Sequence, residues 1–298
     1  MIQRGEDAIE RRFTVPGQRG KQFVLSWAAR TDIGHRRQLN EDSVLAEPPI
    51  FAVADGMGGH SAGDRASAAA VAGHSAGDRA SAAAVSRLAE ATPNPYLEVG
   101  ELDAALRLAV ADIDEIAEEY AAGAGTTVTG VALALFEQTP GLLVFNIGDS
   151  RVYAFADDRL ERITVDHSVV QELVDAGLID AAAAESHPES NVITRALGFH
   201  ETPRPDLWGV PLRDGLRILI CSDGLTREVD DERLASTLSE RMSPAETAEI
   251  LVALALQAGG RDNVTVVVVD VVTSPAKGRH QARSPRTAAR PSSGAEQG

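Results

Sequence analysis

Apolar residues along this chain follow two different periods, and the period changes several times between the ends. Residues 23–27 (F-V-L-S-W), 50–53, 126–136, 142–147, 151–155, 216–221 and 264–272 are short apolar runs. They are rich in β-branched and aromatic side chains, which predicts strands. Pro140-Gly141 separates two consecutive runs, as in the meander of an antiparallel sheet. Elsewhere the period is helical. Leu102, Ala105, Leu106, Ala109, Val110, Ile113, Ile116 and Ala117 recur at i, i+3 and i+4, which predicts an amphipathic helix stopped by Gly123 and Gly125. A later helix carries its own boundaries: Ser243 as N-cap, Pro244 at the first helical position, Glu246 for a capping box and Gly259 as the stop. Residues 169–176 predict a short helix within the irregular stretch 166–198, an excursion from the sheet that could cover a site.

A repeat interrupts this pattern. Residues 59–71 (G-H-S-A-G-D-R-A-S-A-A-A-V) recur letter for letter as 73–85, a period of 14 residues, so the duplicated stretch is 59–86. A solenoid needs several stacked units, so one extra copy reads as a single duplication. The alanine-rich unit favours helix. A continuous helix would gain just under four turns at about 3.6 residues each and project about 21 Å further. The preferred expectation is the other arrangement, one copy looped out or a helix broken at Gly73 and Gly77, because glycine weakens helix interiors.

The 298 residues, 44% of them hydrophobic, support one sizeable core. A formal charge of −16 argues against nucleic acid as the main partner. The single cysteine, Cys221, rules out an intramolecular disulfide and fits a reducing compartment. With no signal-like start and no apolar run near the ~20 residues needed to span a bilayer, the expectation is a cytoplasmic monomer without membrane contact. Residues 1–22 are polar and are expected to be poorly ordered, and 23–273 form the ordered domain. From residue 274 the chain turns to Pro, Ser, Arg and Ala, a basic tail expected to be disordered. The tail is either simply solvated or a docking segment for acidic partners.

Candidate chemistry begins at I-F-A-V-A-D-G-M-G-G (residues 50–59). Asp55 would be held at the end of a rigid strand beside the bare carbonyl of Gly56, a pairing that suits a hard divalent cation. Asp149 (N-I-G-D-S-R), Asp223 (L-I-C-S-D-G-L) and Asp262 (G-G-R-D-N-V-T-V) also stand at strand ends or beside glycine. One such aspartate is ordinarily a turn or cap residue. Four, all attached to strong strands, predict a shared site. Oxygen-only ligands point to Mg²⁺ or Mn²⁺ and away from zinc. Two such ions can acidify a shared water and aim it at phosphorus. Arg36 or Arg37, just before N-E-D, would then clamp the phosphate oxygens.

In order, G-x-x-R-x-x-N-E-D (34–42), V-A-D-G-M-G-G, A-G-T-T, N-I-G-D-S-R, C-S-D-G-L and G-G-R-D-N-V-T-V resemble the metal-dependent type 2C serine/threonine protein phosphatases of the bacterial type. The resemblance runs over about residues 23–272. It implies an α+β fold, a four-layer α-β-β-α sandwich of two antiparallel sheets flanked by helices. It also implies hydrolysis of phosphoserine and phosphothreonine in proteins, serine/threonine kinases among them, with two Mn²⁺ or Mg²⁺ ions and a third, weaker one. By the same resemblance Asp55 bridges two ions and the main-chain oxygen of Gly56 joins the first. Asp223 and Asp262 bind the second, and Asp149 with Asp223 the third. Arg37 binds phosphate, while Glu41 and Asp42 act through metal-bound water or as outer partners of the ligands. The stretch 166–198 corresponds to the family's variable flap, where substrate choice is thought to lie. Met57 stands where eukaryotic members carry a proposed general-acid histidine, which leaves that proton to water or another residue; His60 is near in sequence.

Other chemistries fit less well. Cys221 and Arg227 match the C-x-x-x-x-x-R spacing of cysteine-dependent phosphatases, yet Asp223 would put a negative charge inside the phosphate cradle. Asp166, His167 and Ser168 are contiguous, which rarely gives triad geometry. The glycines at 56, 58 and 59 lack the Lys-Ser/Thr of a P-loop. The remaining alternative is a non-catalytic module on the same fold that binds phosphoproteins without turning them over.

Overall fold

The computed structural model describes residues 1–5, 7–16, 22–58, 75–91, 93–120, 123–185, 187–199 and 204–274. Three separate apolar clusters reveal four layers. Successive residues of a strand point to opposite faces, so each central strand feeds two of these clusters. In β5 (Ile50–Gly58), Phe51 and Val53 face the second sheet while Ala52 and Ala54 face helices. In β13 (Arg217–Cys221), Ile218 and Ile220 point inward, whereas Leu219 and Cys221 meet the opposite helices.

The first sheet runs β1 (Gln3–Arg4), β4 (Asp42–Glu47), β5, β7 (Val128–Phe136), β8 (Thr139–Ile147), β12 (Asp206–Pro211). Two short strands, β6 (Ala124–Thr126) and β11 (Leu197–Gly198), extend it beside β5. The second sheet runs β10 (Arg159–Arg162), β9 (Arg151–Ala156), β13, β14 (Val264–Ser274), β3 (Gln22–Asp32), β2 (Ala8–Thr14). Helices α1 (Ala76–Ala89) and α2 (Val99–Ala117) cover the first sheet. The second is covered by α6 (Asp231–Ser239) and α7 (Pro244–Ala258). No described helix is long and apolar enough to cross a membrane.

The four-layer architecture is the expected one, with local differences. Residues 1–22, expected to lack order, contribute an edge strand to each sheet, and β1 pairs with β4 in parallel. The β7–β8 turn falls at Glu137-Gln138, both at positive φ, and Pro140-Gly141 already belongs to β8. A two-residue turn of that kind matches the twist of the strands it joins. Thr127 interrupts the predicted strand 126–136, and α2 ends at Ala117, ahead of Gly123. The late helix is bounded as its sequence dictates: Ser243 and Glu246 form the capping box and Gly259 is the C-cap.

The repeat also resolves differently. Helix α1 is built from the second copy and starts at its own N-cap, Ser75, whose hydroxyl accepts from the Asp78 amide at 3.0 Å. Gly77 therefore does not break the helix. It lies in the first turn because the backbone of Gly56 approaches so closely that a Cβ on Gly77 would sit 2.8 Å from the Gly56 carbonyl carbon. The first copy and Gly73 lie outside the described residues.

Candidate functional site

Antiparallel neighbours turn back at a common rim, so β5, β8 and β13 end where β4, β7, β9 and β14 begin. The aspartates at those ends are thereby gathered. Asp42, the first residue of β4, lies directly opposite Asp55. Like charges in that register repel. Asp42 is fully buried, and its Oδ2 accepts from Ser222 Oγ at 2.9 Å and Thr265 Oγ1 at 2.6 Å, which ties the first sheet to the second.

The main chain of Asp55 is fixed on both sides. Its amide donates to Thr127 Oγ1 at 3.0 Å, and its carbonyl accepts from the Thr127 amide and Thr126 Oγ1, both at 2.9 Å. The next residue, Gly56, donates to the Glu41 carbonyl at 3.2 Å. A Cβ there would lie 2.1 Å from the Gly77 carbonyl oxygen, so the position requires glycine. Asp223 opens the short helix α5 (Asp223–Thr226) directly after β13. Asp149 stands on the β8–β9 turn behind Gly148, whose φ is +116°. Asp262 precedes β14, and its neighbour Asn263 anchors the loop that carries Arg37 and Glu41. Asn263 accepts from the Glu41 amide at 2.9 Å and donates to the carbonyls of Ile33 and Leu39 at 2.9 and 3.0 Å.

Two arginines enter the cluster. Arg37 Nη2 lies 2.7 Å from Asp262 Oδ2, with the side chain 40% exposed; Arg36 points to solvent. Arg227 pairs with Asp223 through Nη2, which is also 3.7 Å from Asp149, while Nη1 is 3.6 Å from Asp262. The sequence marked Arg227 only as the arginine of C-x-x-x-x-x-R; its i, i+4 spacing from Asp223 was the signal for its true place.

Burial raises the pKa of Asp42 to about 7, reinforced by Asp223 and Asp262 and opposed by the two hydroxyls. Burial likewise carries Asp149 to about 7, with Arg227 pulling the other way. Asp55 is pushed well above the usual carboxylate range by burial and then by Asp42, Asp223, Asp149 and Asp262. Asp223 is raised by burial as well, against the pull of Arg227. These groups stand too close to ionise together without added positive charge. The Oδ1 atoms of Asp42 and Asp223 are buried with no hydrogen-bond partner. Among the described residues no three acidic, histidine or cysteine side chains form a closed ligand set; arginines engage Asp149, Asp223 and Asp262 instead. An oxygen-only donor set with unpartnered buried oxygens and a deficit of positive charge still fits hard divalent cations.

The competing motifs have structural roles. Cys221 faces the helix layer, fully buried, and burial pushes its thiol up to about 12, far from a reactive thiolate. Asp166 binds Arg151 at 2.7 Å, and Ser168 caps the helix α3 (Val169–Asp175). His167 accepts from the Gly148 amide through Nδ1 at 3.1 Å and faces Asp206 through Nε2 at 3.2 Å. The stretch 166–198 is thus fastened beside Asp149. His60 lies outside the described residues.

A sequence model of the family described as "Protein phosphatase 2C" matches residues 34–258. The serine/threonine protein phosphatase PstP of Mycobacterium tuberculosis is 44% identical over 253 residues, covering 84% of this chain and 46% of its own length. The chain thus spans about half the length of that curated relative. A crystal structure of PstP/Ppp from M. tuberculosis superposes with a TM-score of 0.72 at 40% identity, covering 83% of this chain and 98% of that one. The PstP catalytic domain in complex with two manganese ions gives 0.69 at 40% identity, covering 84% and 99%.

Proposed function

The chain belongs to the protein phosphatase 2C family, and from that premise we propose that it hydrolyses phosphoserine and phosphothreonine in proteins with the help of Mn²⁺ or Mg²⁺. The observation that carries this reading is the gathering of Asp42, Asp55, Asp149, Asp223 and Asp262 at one rim, short of positive charge. Asp55, the carbonyl of Gly56, Asp223 and Asp262 would hold the cations. When bound, such ions lower the pKa of a water and neutralise phosphate charge. Arg37, pinned on one side by Asp262 and open to solvent on the other, would orient the phosphate. Glu41 and Asp42 would support the ligands from behind, Asp42 through the two hydroxyls that fix it. Met57 carries no proton to give, so the leaving group would take its proton from water. We place residues 23–273 as the catalytic unit of a cytoplasmic monomer whose substrates are phosphoproteins, kinases included.

The test is Mn²⁺-dependent phosphate release from a phosphothreonine peptide. Turnover should appear with Mn²⁺, vanish with a chelator and survive thiol alkylation. A folded but inert protein would favour the phosphoprotein-binding module instead.

A further inference from the structure

We propose that Arg227 is a built-in cation of this site: its guanidinium takes the place between Asp149 and Asp223 that a divalent ion would otherwise fill, and so limits the chain to two ions. The inference rests on the cation-binding reading above and adds to it a residue that sets the stoichiometry.

Arg227 closes the single turn of α5, one turn after Asp223. Its backbone is held at both ends. The amide donates to the Asp223 carbonyl at 2.9 Å, and the carbonyl accepts from Arg261 Nη2 at 3.0 Å. Arg261 is in turn bound to Glu228 at 2.8 Å. From this anchored position the guanidinium reaches Asp223, Asp149 and Asp262 at once. The side chain is 32% exposed, whereas Asp149 and Asp223 are each 11% exposed, so the charged head lies at the mouth of the buried carboxylates. A guanidinium keeps its charge at any working pH, so this is a permanent occupant and not a titrating one.

Charge balance agrees. If all are ionised, the five aspartates face the Arg37 and Arg227 guanidiniums, with the Met1 ammonium near Asp42, and two divalent ions more than offset what remains. Asp223 Oδ1 is buried and without a hydrogen-bond partner, whereas Oδ2 is the atom that pairs with Arg227. Asp149 lies 3.7 Å from Arg227 Nη2, the same nitrogen that pairs with Asp223. The charge that Asp149 needs is already supplied by the chain.

Counting ions tests this directly. Manganese bound per chain is measured by equilibrium dialysis with elemental analysis for the wild type, Arg227→Ala and Arg227→Gln, the last keeping most of the side-chain stem. The wild type should hold two ions and both variants three. Adding Asp149→Ala to Arg227→Ala should return the count to two. In the absence of metal the variants should melt below the wild type, and Mn²⁺ should restore them. A count of three in the wild type, or of two in both folded variants, would overturn the inference while leaving the phosphatase reading standing. No ion bound by any of them would overturn both.

Discussion

In the last part of β5 the chain reaches Asp55-Gly56, and just after β13 it reaches Asp223-Gly224; in both places a strand delivers an aspartate to the rim and a glycine comes next. Each glycine is packed against a backbone carbonyl from elsewhere in the chain. A Cβ at Gly56 would lie 2.1 Å from the Gly77 oxygen, and one at Gly224 would lie 1.9 Å from that of Asn263. At Gly224 the helix begins at once, whereas residues 59–74 separate β5 from Ser75 and α1. The two aspartates are nonetheless held to the same rim. Docking of the glycine on a distant backbone positions the carboxylate, and chain continuity into the helix is not required.

The largest difference between the junctions should appear in alanine variants of the two aspartates. Asp55→Ala and Asp223→Ala should each lower Mn²⁺-dependent turnover about a thousandfold or more, since each removes charge aimed at the reacting centre. Their metal-free stabilities should diverge. Asp55→Ala removes the carboxylate that Asp42 opposes, so the chelated variant should melt above the wild type. Asp223→Ala strips Arg227 of its closest partner and should melt below it. Equal melting shifts in the two variants would remove the basis of this contrast.

The glycines come next. Gly56→Ala and Gly224→Ala force a methyl against fixed carbonyl groups, and each should cost about 3 kcal/mol or more in urea unfolding. Gly100 in α2 has nothing within 4 Å of a built Cβ and is the control. Gly100→Ala should stabilise by about 0.5–1 kcal/mol.

A smaller effect separates the metal-free from the loaded protein. Asp42 and Asp149 titrate near 7 when folded, above the ordinary carboxylate value. The fold thus favours their protonated forms, and this contribution is present below about pH 4 and lost as pH rises through 7. In chelator the melting temperature should fall between pH 5 and pH 8, and Asp55→Asn should flatten the slope. A metal-free melting temperature that climbs over that interval would contradict the charge deficit assigned to the rim.

Much of this architecture was legible because local signals coincided with tertiary ones. The capping box of Ser243 and Glu246 and the stop at Gly259 act within a few residues, so they fix α7 wherever it packs. The aspartates stood out in the sequence because each lies beside a glycine or at one end of a run that reads as a buried strand. The features that escaped depend on partners far away in the chain. Ser222 and Thr265 look like ordinary strand-end hydroxyls until the two sheets close on Asp42. The edge strands at the N-terminus exist only because β3 and β4 offer free ladders. The seating of the repeat is the clearest case, since both copies have the same propensities up to residue 85. The copies differ in the residues that come after them. Beyond the second copy, Arg87 binds Asp112 at 2.6 and 2.8 Å and Leu88 is buried in the core; beyond the first, Gly73 and His74 would stand in those places. Burying a leucine there contributes about 1.5–3 kcal/mol, enough to choose the register.

That choice makes the first copy dispensable to the helix. Deleting residues 59–72 leaves Gly58 joined to Gly73 and His74, with Ser75 and every residue of α1 unchanged. Gly56 and Gly77 already touch, so the ends to be joined start close together. Two residues span up to about 10 Å between Gly58 and Ser75. Shortening the connection from sixteen residues to two is an eightfold change, which in closure entropy is about 1–2 kcal/mol in favour of the folded state. The deletion variant should therefore melt a few degrees higher, bind the same number of Mn²⁺ ions and keep its turnover on a phosphothreonine peptide. Loss of folding or of metal binding on deletion would mean that the first copy, and not Ser75 with Gly77, holds the strand end in place.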